Sequence, residues 1–263
     1  MLSRLVVEPG SAADLERRDP RDTLGLPGKD EAKEQLAALL EELSSLQERL
    51  YAEDKRSVLL ILQGLDASGK DGTIRHVFTG VNPQGCRVTS FKAPTPAELA
   101  HDFLWRVHAE CPARGMIGIF NRSHYEDAVT VRVLGLAPDD VWRRRPERII
   151  EFERLLVEEG TTVLKCFLHV SAEEQRERFA ERLANPAKRW KYNPEDEETN
   201  RRYGDFTTAY EEALTGTSTE WAPWYVIPAD RNWVRNLAVA TVLVEALRRL
   251  DPQFPDVAQI AIL

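Results

Sequence analysis

The chain has 263 residues, a formal net charge of −8, 43% hydrophobic and 30% charged residues. That length suits one large α/β domain with appendages, or at most two domains, and is ample for a full core. The acidic balance excludes a surface built as a whole to hold a polyanion, so nucleic acid is not an expected partner and an anionic substrate must meet a local basic patch.

Cys86, Cys111 and Cys166 are dispersed without metal-ligand spacing. An odd, scattered set fits a reducing cytoplasm. The first ten residues lack the apolar stretch of a signal peptide, and no apolar run approaches the ~20 residues of a membrane span. The expected location is cytoplasmic, with no membrane partner.

In chain order, residues 1–28 carry Pro, Gly, Asp and Arg with little periodicity. They read as an extended arm laid over the domain or over a neighbouring subunit. From Asp30 to Asp54, Leu36, Leu39, Leu40, Leu43, Leu46 and Leu50 make one helical stripe that packs on the core or on a partner. Val58 to Leu62 is an unbroken apolar run, suited to a strand buried on both faces. Gly64 opens a loop that Gly69 and Lys70 close, and Ile74, Val77 and Phe78 follow at helical spacing. Strand, glycine loop and helix together form the context of a phosphate loop. Backbone amides and the helix N-terminus favour an anion there, and Lys70 adds a point charge. The usual pattern places Ser or Thr after the lysine to hold Mg²⁺. Here Asp71 follows Lys70, and Asp66 sits inside the loop. A loop carboxylate, Asp66 above all, is the expected replacement for that hydroxyl.

Cys86 to Lys92 is a second strand, followed by a helix from about Glu98 to Glu110. Met116 to Phe120 is a third strand, running into Asn121-Arg-Ser-His-Tyr-Glu-Asp. Polar residues at the carboxyl end of a parallel strand lie where open α/β sheets bind ligands. Val141 to Glu159 is a helix, Thr162 to Val170 a strand, and Ser171 with Glu174 forms a capping box for the next helix. Arg178 and Arg182 share a face of that helix. Lys188, Arg189 and Lys191 follow in a stretch without acids, the candidate basic lid. Glu195 to Leu214 is helical, Trp224 to Pro228 is a fifth strand, and a last helix runs to Leu250. Alternating strands and helices predict a doubly wound parallel sheet of five strands.

Four segments carry a family resemblance: Gly64-Leu-Asp-Ala-Ser-Gly-Lys-Asp-Gly-Thr, Phe120-Asn-Arg-Ser-His-Tyr-Glu-Asp, Pro186-Ala-Lys-Arg-Trp-Lys-Tyr and Ala222-Pro-Trp-Tyr-Val-Ile-Pro-Ala-Asp-Arg. In this order they resemble the second family of polyphosphate kinases, from about residue 30 onward. Other members have Asp where Asn121 stands; with Glu126 and Asp127 following, the variant resembles the subgroup acting on both nucleoside mono- and diphosphates. After the arm over 1–28, the resemblance implies a P-loop kinase domain of the thymidylate-kinase type over 29–263, with a helical lid at about 178–200. It implies Mg²⁺- or Mn²⁺-dependent, reversible phosphoryl transfer between inorganic polyphosphate and adenine or guanine nucleotides, and a homodimer or homotetramer.

By position, Asp66 and Lys70 match the acid and lysine of the first motif, Arg122 the arginine of the second, and Arg182, Lys188, Arg189 and Lys191 fall in or beside the lid. Asp66, Lys70, Arg122 and Arg182 are the expected catalytic residues. Asp66 and Asp127 are the expected metal ligands. Gly64, Ala67, Ser68, Gly69, Asp71, Gly72, Thr73, Asn121, Arg178, Lys188, Arg189 and Lys191 are the expected contacts to phosphate or nucleotide. Glu126 reads the nucleoside or caps the turn after the strand. His124 and Tyr125 are expected to pack or brace the turn, His169 to be a buried, satisfied side chain, and Arg143 to Arg145 to form a solvated helix end that a long polymer could graze. Trp190 packs the lid or stacks on a base. Rival readings are an ATP-dependent nucleotide kinase and a non-catalytic phosphate sensor.

Overall fold

Val58 to Leu62 are wholly buried, as a strand covered on both faces requires. They form the middle of β2 (Ser57–Gln63), the centre of a six-stranded sheet. The computed structural model describes residues 1–187, 189–191 and 195–256, leaving aside the side chains of residues 191 and 195–197. Across the sheet the order is β1 (Val6–Val7), β6 (Trp224–Pro228), β5 (Thr161–His169), β2, β4 (Ile117–Asn121) and β3 (Cys86–Ser90). β2 to β6 run parallel, whereas β1 is antiparallel to β6, with Val6 opposite Tyr225.

The expected five-stranded parallel sheet is therefore a mixed sheet of six. The sixth strand comes from the N-terminal stretch and is two residues long, too short to show any alternation. Arg18 secures it by donating to the carbonyls of Arg4, Leu5, Val6 and Ala13.

The longer helices are α1 (Lys29–Glu53), α2 (Lys70–Val77), α3 (Arg145–Glu158), α4 (Ala172–Ala184), α5 (Glu195–Arg201), α6 (Tyr203–Thr217) and α7 (Asn232–Leu250). Two expected helices are shorter than their periodicity suggests. The stretch from Glu98 to Glu110 holds only Pro96–Leu99 and Trp105–His108. Between them the Asp102 carboxylate accepts from Leu104 N at 3.0 Å, a local bond that competes with helix. The stretch expected as one helix from Val141 breaks before α3, with Pro146 in its first turn.

The leucine stripe of α1 serves the molecule's own core. Leu43 and Leu50 are fully buried, and Leu36 and Leu39 pack with Leu237 and Trp233 of α7. Glu42 meets Arg248 of α7 at 2.6 Å on the rim. Among the described residues, no helix is long and apolar enough to cross a membrane.

Candidate functional site

Loop 64–69 leaves the carboxyl end of β2 and turns directly into α2. Gly64 has φ 145°, and a side chain there would start 2.7 Å from the Leu168 carbonyl oxygen. Gly69, at φ 101°, caps α2. Both positions use backbone conformations that suit glycine. Lys70 is the first residue of α2, and its stem is buried. Its ammonium donates to Gly64 O at 2.6 Å and Leu65 O at 3.1 Å. Burial first, then the Arg122 charge, brings the Lys70 pKa down to about 8, against the pull of Asp66, Glu126 and Asp71.

The second motif lies alongside because β4 pairs with β2. Leu62 faces Asn121 in register, and Arg122 N donates to Leu62 O at 3.0 Å. Arg122 has φ 62°, an uncommon conformation for an arginine, at the point where the chain leaves the sheet. Two bridges join the motifs. The Arg122 guanidinium forms an ion pair with Asp66, and Asn121 Nδ2 donates to Asp71 Oδ1 at 2.8 Å. An aspartate at 121 would set two carboxylates against each other; the amide supplies a donor instead. Glu126 steadies the same arginine, lying 3.5 Å from its Nη1 while accepting from Thr130 Oγ1 at 2.6 Å.

Other expected residues lie elsewhere around this centre. The Asp127 carboxylate meets Arg145 at 3.1 Å and Arg106 at 3.8 Å, partners different from those of Asp66. Burial raises its pKa, with the two arginines opposing. Arg178 holds the loop through its backbone: Nη1 donates to Ala67 O at 2.8 Å, Nη2 to Ala229 O at 2.7 Å, and Nε pairs with Glu174. Ser68 and Thr73 are buried, and Thr73 Oγ1 donates to Gly69 O at 3.1 Å. Ala67 adopts φ 61°, and Gly72 abuts Arg235 of α7. Arg182 lies over the Phe179 ring. Arg189 Nε donates to Leu183 O at 2.8 Å, and Trp190, 77% exposed, donates to Ala187 O. Lys188 and the Lys191 side chain lie outside the described residues.

His124 and Tyr125 do pack, and they do so on a charged group in the core. Lys165 of β5 and Glu153 of α3 are both fully buried and meet at 2.6 Å. Tyr125 Oη donates to Glu153 at 2.9 Å, His124 Nε2 lies 3.3 Å from it, and Lys165 also donates to Thr217 O at 2.7 Å. Burial alone would raise the Glu153 pKa, but Lys165 and His124 hold it below the usual value. His124 and Tyr125 follow Arg122 closely in the chain, whereas Glu153 and Lys165 lie far from it, and sequence reasoning missed the cluster. The signal was a lone lysine inside the apolar run Thr161–His169. Gln175 of α4 and Arg235 of α7, which also touch the loop, were missed as well. Arg235 showed only as a charge on a helix face otherwise apolar.

The fold as a whole is one that known proteins share. Residues 27–255 match the family described as Polyphosphate kinase 2. The chain belongs to the polyphosphate kinase 2 family. It is 55% identical over 251 residues to an AMP/ADP-polyphosphate phosphotransferase of Meiothermus ruber, covering 95% of this chain and 94% of that one. To an ADP-polyphosphate phosphotransferase of Rhodopseudomonas palustris it is 41% identical, covering 95% and 91%. The crystal structure of Polyphosphate Kinase 2 from Arthrobacter aurescens superposes with a TM-score of 0.91 at 42% identity, covering 98% of this chain and 93% of that one. Within this polyphosphate kinase 2 chain, the candidate site lies where the carboxyl ends of β2 and β4 meet.

Proposed function

We propose that the protein transfers the terminal phosphoryl group of inorganic polyphosphate to AMP and ADP, reversibly. Guanine nucleotides are further acceptors on the same reading. An oxygen of the acceptor's terminal phosphate attacks the end phosphorus of the chain. A phosphoanhydride bond forms as another breaks, and the shortened chain leaves. The attacking oxygen already carries negative charge at neutral pH, so the step needs no general base. What it needs is relief of repulsion between two polyanions and alignment of their ends.

The observation that carries the reading is the juxtaposition of Lys70, Asp66 and Arg122 across the β2–β4 junction. Lys70 and the loop amides hold a phosphate. Arg122 neutralises charge spread over the oxygens of the group in transit, and Arg182 is its expected helper from the lid side. One such arginine is worth ~10³ or more in rate.

The donor set fits Mg²⁺ or Mn²⁺. A hard ion of this kind binds one or two carboxylates and takes its remaining oxygens from phosphates and water. Asp66, ion-paired with Arg122 but with its side chain 24% exposed, offers such a carboxylate. Among the described residues no group of three His, Cys, Asp or Glu forms a closed cage. Asp127 is the second expected ligand, although its carboxylate is turned to Arg145 and Arg106. When bound, the ion would supply positive charge that offsets the repulsion between the two polyanions.

The test is direct. Purified protein with ADP, polyphosphate and Mg²⁺ should form ATP, and with AMP should form ADP. ATP formation lost on omitting polyphosphate supports the reading. Transfer from ATP to AMP without any use of polyphosphate overturns it.

A further inference from the structure

Successive carbonyls of the loop are held by side-chain donors. Lys70 takes Gly64 O and Leu65 O. Gln175 Nε2 donates to Asp66 O at 2.8 Å, Arg178 Nη1 to Ala67 O at 2.8 Å and Arg235 Nη1 to Ser68 O at 3.3 Å. Carbonyls held in this way are kept from an incoming anion, which leaves the loop amides to meet it.

Arg235 differs from its neighbours in the clamp. It is 3% exposed, and its other bonds go to Asn232 Oδ1 at 2.7 Å and Asn236 Oδ1 at 3.1 Å. All three acceptors are neutral. Among the described residues no carboxylate forms an ion pair with it. Glu174, whose charge reaches it, is itself paired with Arg178 at 2.7 Å. Its buried Nε has no hydrogen-bond partner. Burial and the Arg178 charge lower its pKa only to about 9, so it is a cation at neutral pH. The guanidinium occupies the space a side chain at Gly69 would need, and its Nη2 lies 3.3 Å from the corresponding point at Gly72.

A buried cation without a counterion destabilises a fold. An anion arriving on the far side of the loop offsets that. We propose that Arg235 is a positioning residue of the phosphate loop, whose fixed charge behind Ser68 and Gly69 strengthens phosphate binding through the backbone, without contact to substrate. The inference rests on the phosphate-binding part of the proposed function. It assigns α7, remote in sequence from the loop, a part in anion affinity.

The experiment compares Arg235→Met and Arg235→Lys in the full chain. Pyrophosphate and polyphosphate binding are measured by calorimetry, the melting temperature without ligand, and kcat and KM with ADP. Arg235→Met should weaken both anions about tenfold, equal to about 1.4 kcal/mol. Its ligand-free melting temperature should stay level or rise, because an unpaired buried charge has gone. Arg235→Lys should recover much of the affinity, and KM should move more than kcat. Should the Met variant not fold, Arg235→Gln carries the same comparison. Parental affinity in the neutral variant overturns the inference. So does an affinity loss that tracks a fall in melting temperature and is not restored by lysine. Pyrophosphate binding does not depend on transfer: weakened binding with no polyphosphate-driven ATP formation would sink the proposed function and leave this inference standing.

Discussion

At the scale of single residues, the candidate site is a set of charges that correct one another. Lys70 is buried against loop carbonyls and faces Arg122, which together bring its pKa from the ordinary 10.5 to about 8. Between those values the unfolded chain binds a proton that the folded one does not. Its contribution to stability therefore rises with pH through that window, because the penalty of burying a charge is lifted. Binding follows the opposite course: as pH rises through 8 the ammonium is lost, and affinity for pyrophosphate should fall. Calorimetric titrations at pH 7 and pH 9 check this, and equal affinities would remove Lys70 from the phosphate site. Asp66→Asn removes one of the two counter-charges of Arg122 and the first expected metal ligand together. Activity should be lost at ordinary Mg²⁺ and partly return as Mg²⁺ is raised. Full activity at ordinary Mg²⁺ would show the carboxylate to be dispensable. That Asp66 and Lys70 lie in a strand–loop–helix turn and Arg122 at the carboxyl end of a strand was legible in the sequence, because glycine punctuation and apolar runs mark such places. The bridge from Asn121 to Asp71 was not, since it depends on which strands are neighbours.

At the scale of elements, β4 and β5 are tied to α3 by charge as well as by apolar packing. Glu153 of α3 and Lys165 of β5 meet with both side chains fully buried, and Tyr125 and His124 after β4 close on the same carboxylate. Removing one partner leaves the other charged in a dry core. Glu153→Leu or Lys165→Met alone should cost about 3–5 kcal/mol in urea unfolding, while the double variant should regain most of it. A double variant as weak as the sum of the two would mean that packing, not charge, sets the penalty. Because Arg122 lies two residues before His124, the single variants should also lower kcat. The elements themselves were mostly foreseen: α1, β2, β5, β6 and α7 follow apolar periodicity. The breaks near Asp102 and Pro146 were not, because local side-chain and proline effects interrupt a pattern that periodicity alone continues.

At the scale of the whole molecule, the sheet has two unlike edges. β3 ends one side with Val88 half exposed, whereas β6 is covered by β1 and by the Arg18 knot that holds it. A bare strand edge pairs readily with other chains. Deleting residues 1–8 should lower the melting temperature and produce aggregates visible by light scattering; a monodisperse, equally stable product would show that the arm does not protect the sheet. The net charge of −8 bears on substrate as well. Polyphosphate has to reach a local basic region against the overall field, so its binding should be salt-sensitive. Arg189→Ala should weaken long-chain polyphosphate more than ADP, with the difference shrinking as salt rises. Equal loss for both would place Arg189 outside the polymer path.

The sequence by itself determined the α/β class, five of the six strands and most of the longer helices in their order, and where the glycine loop and the second motif lie. Those depend on periodicity, glycine placement and residue type, which are local in the chain. Only the tertiary structure decided that Asn121 meets Asp71, that Glu126 steadies Arg122, and that Gln175, Arg178 and Arg235 hold the loop from behind. It also decided that the N-terminal arm supplies an edge strand. Such contacts join residues far apart in the chain, and each depends on geometry that no single segment contains.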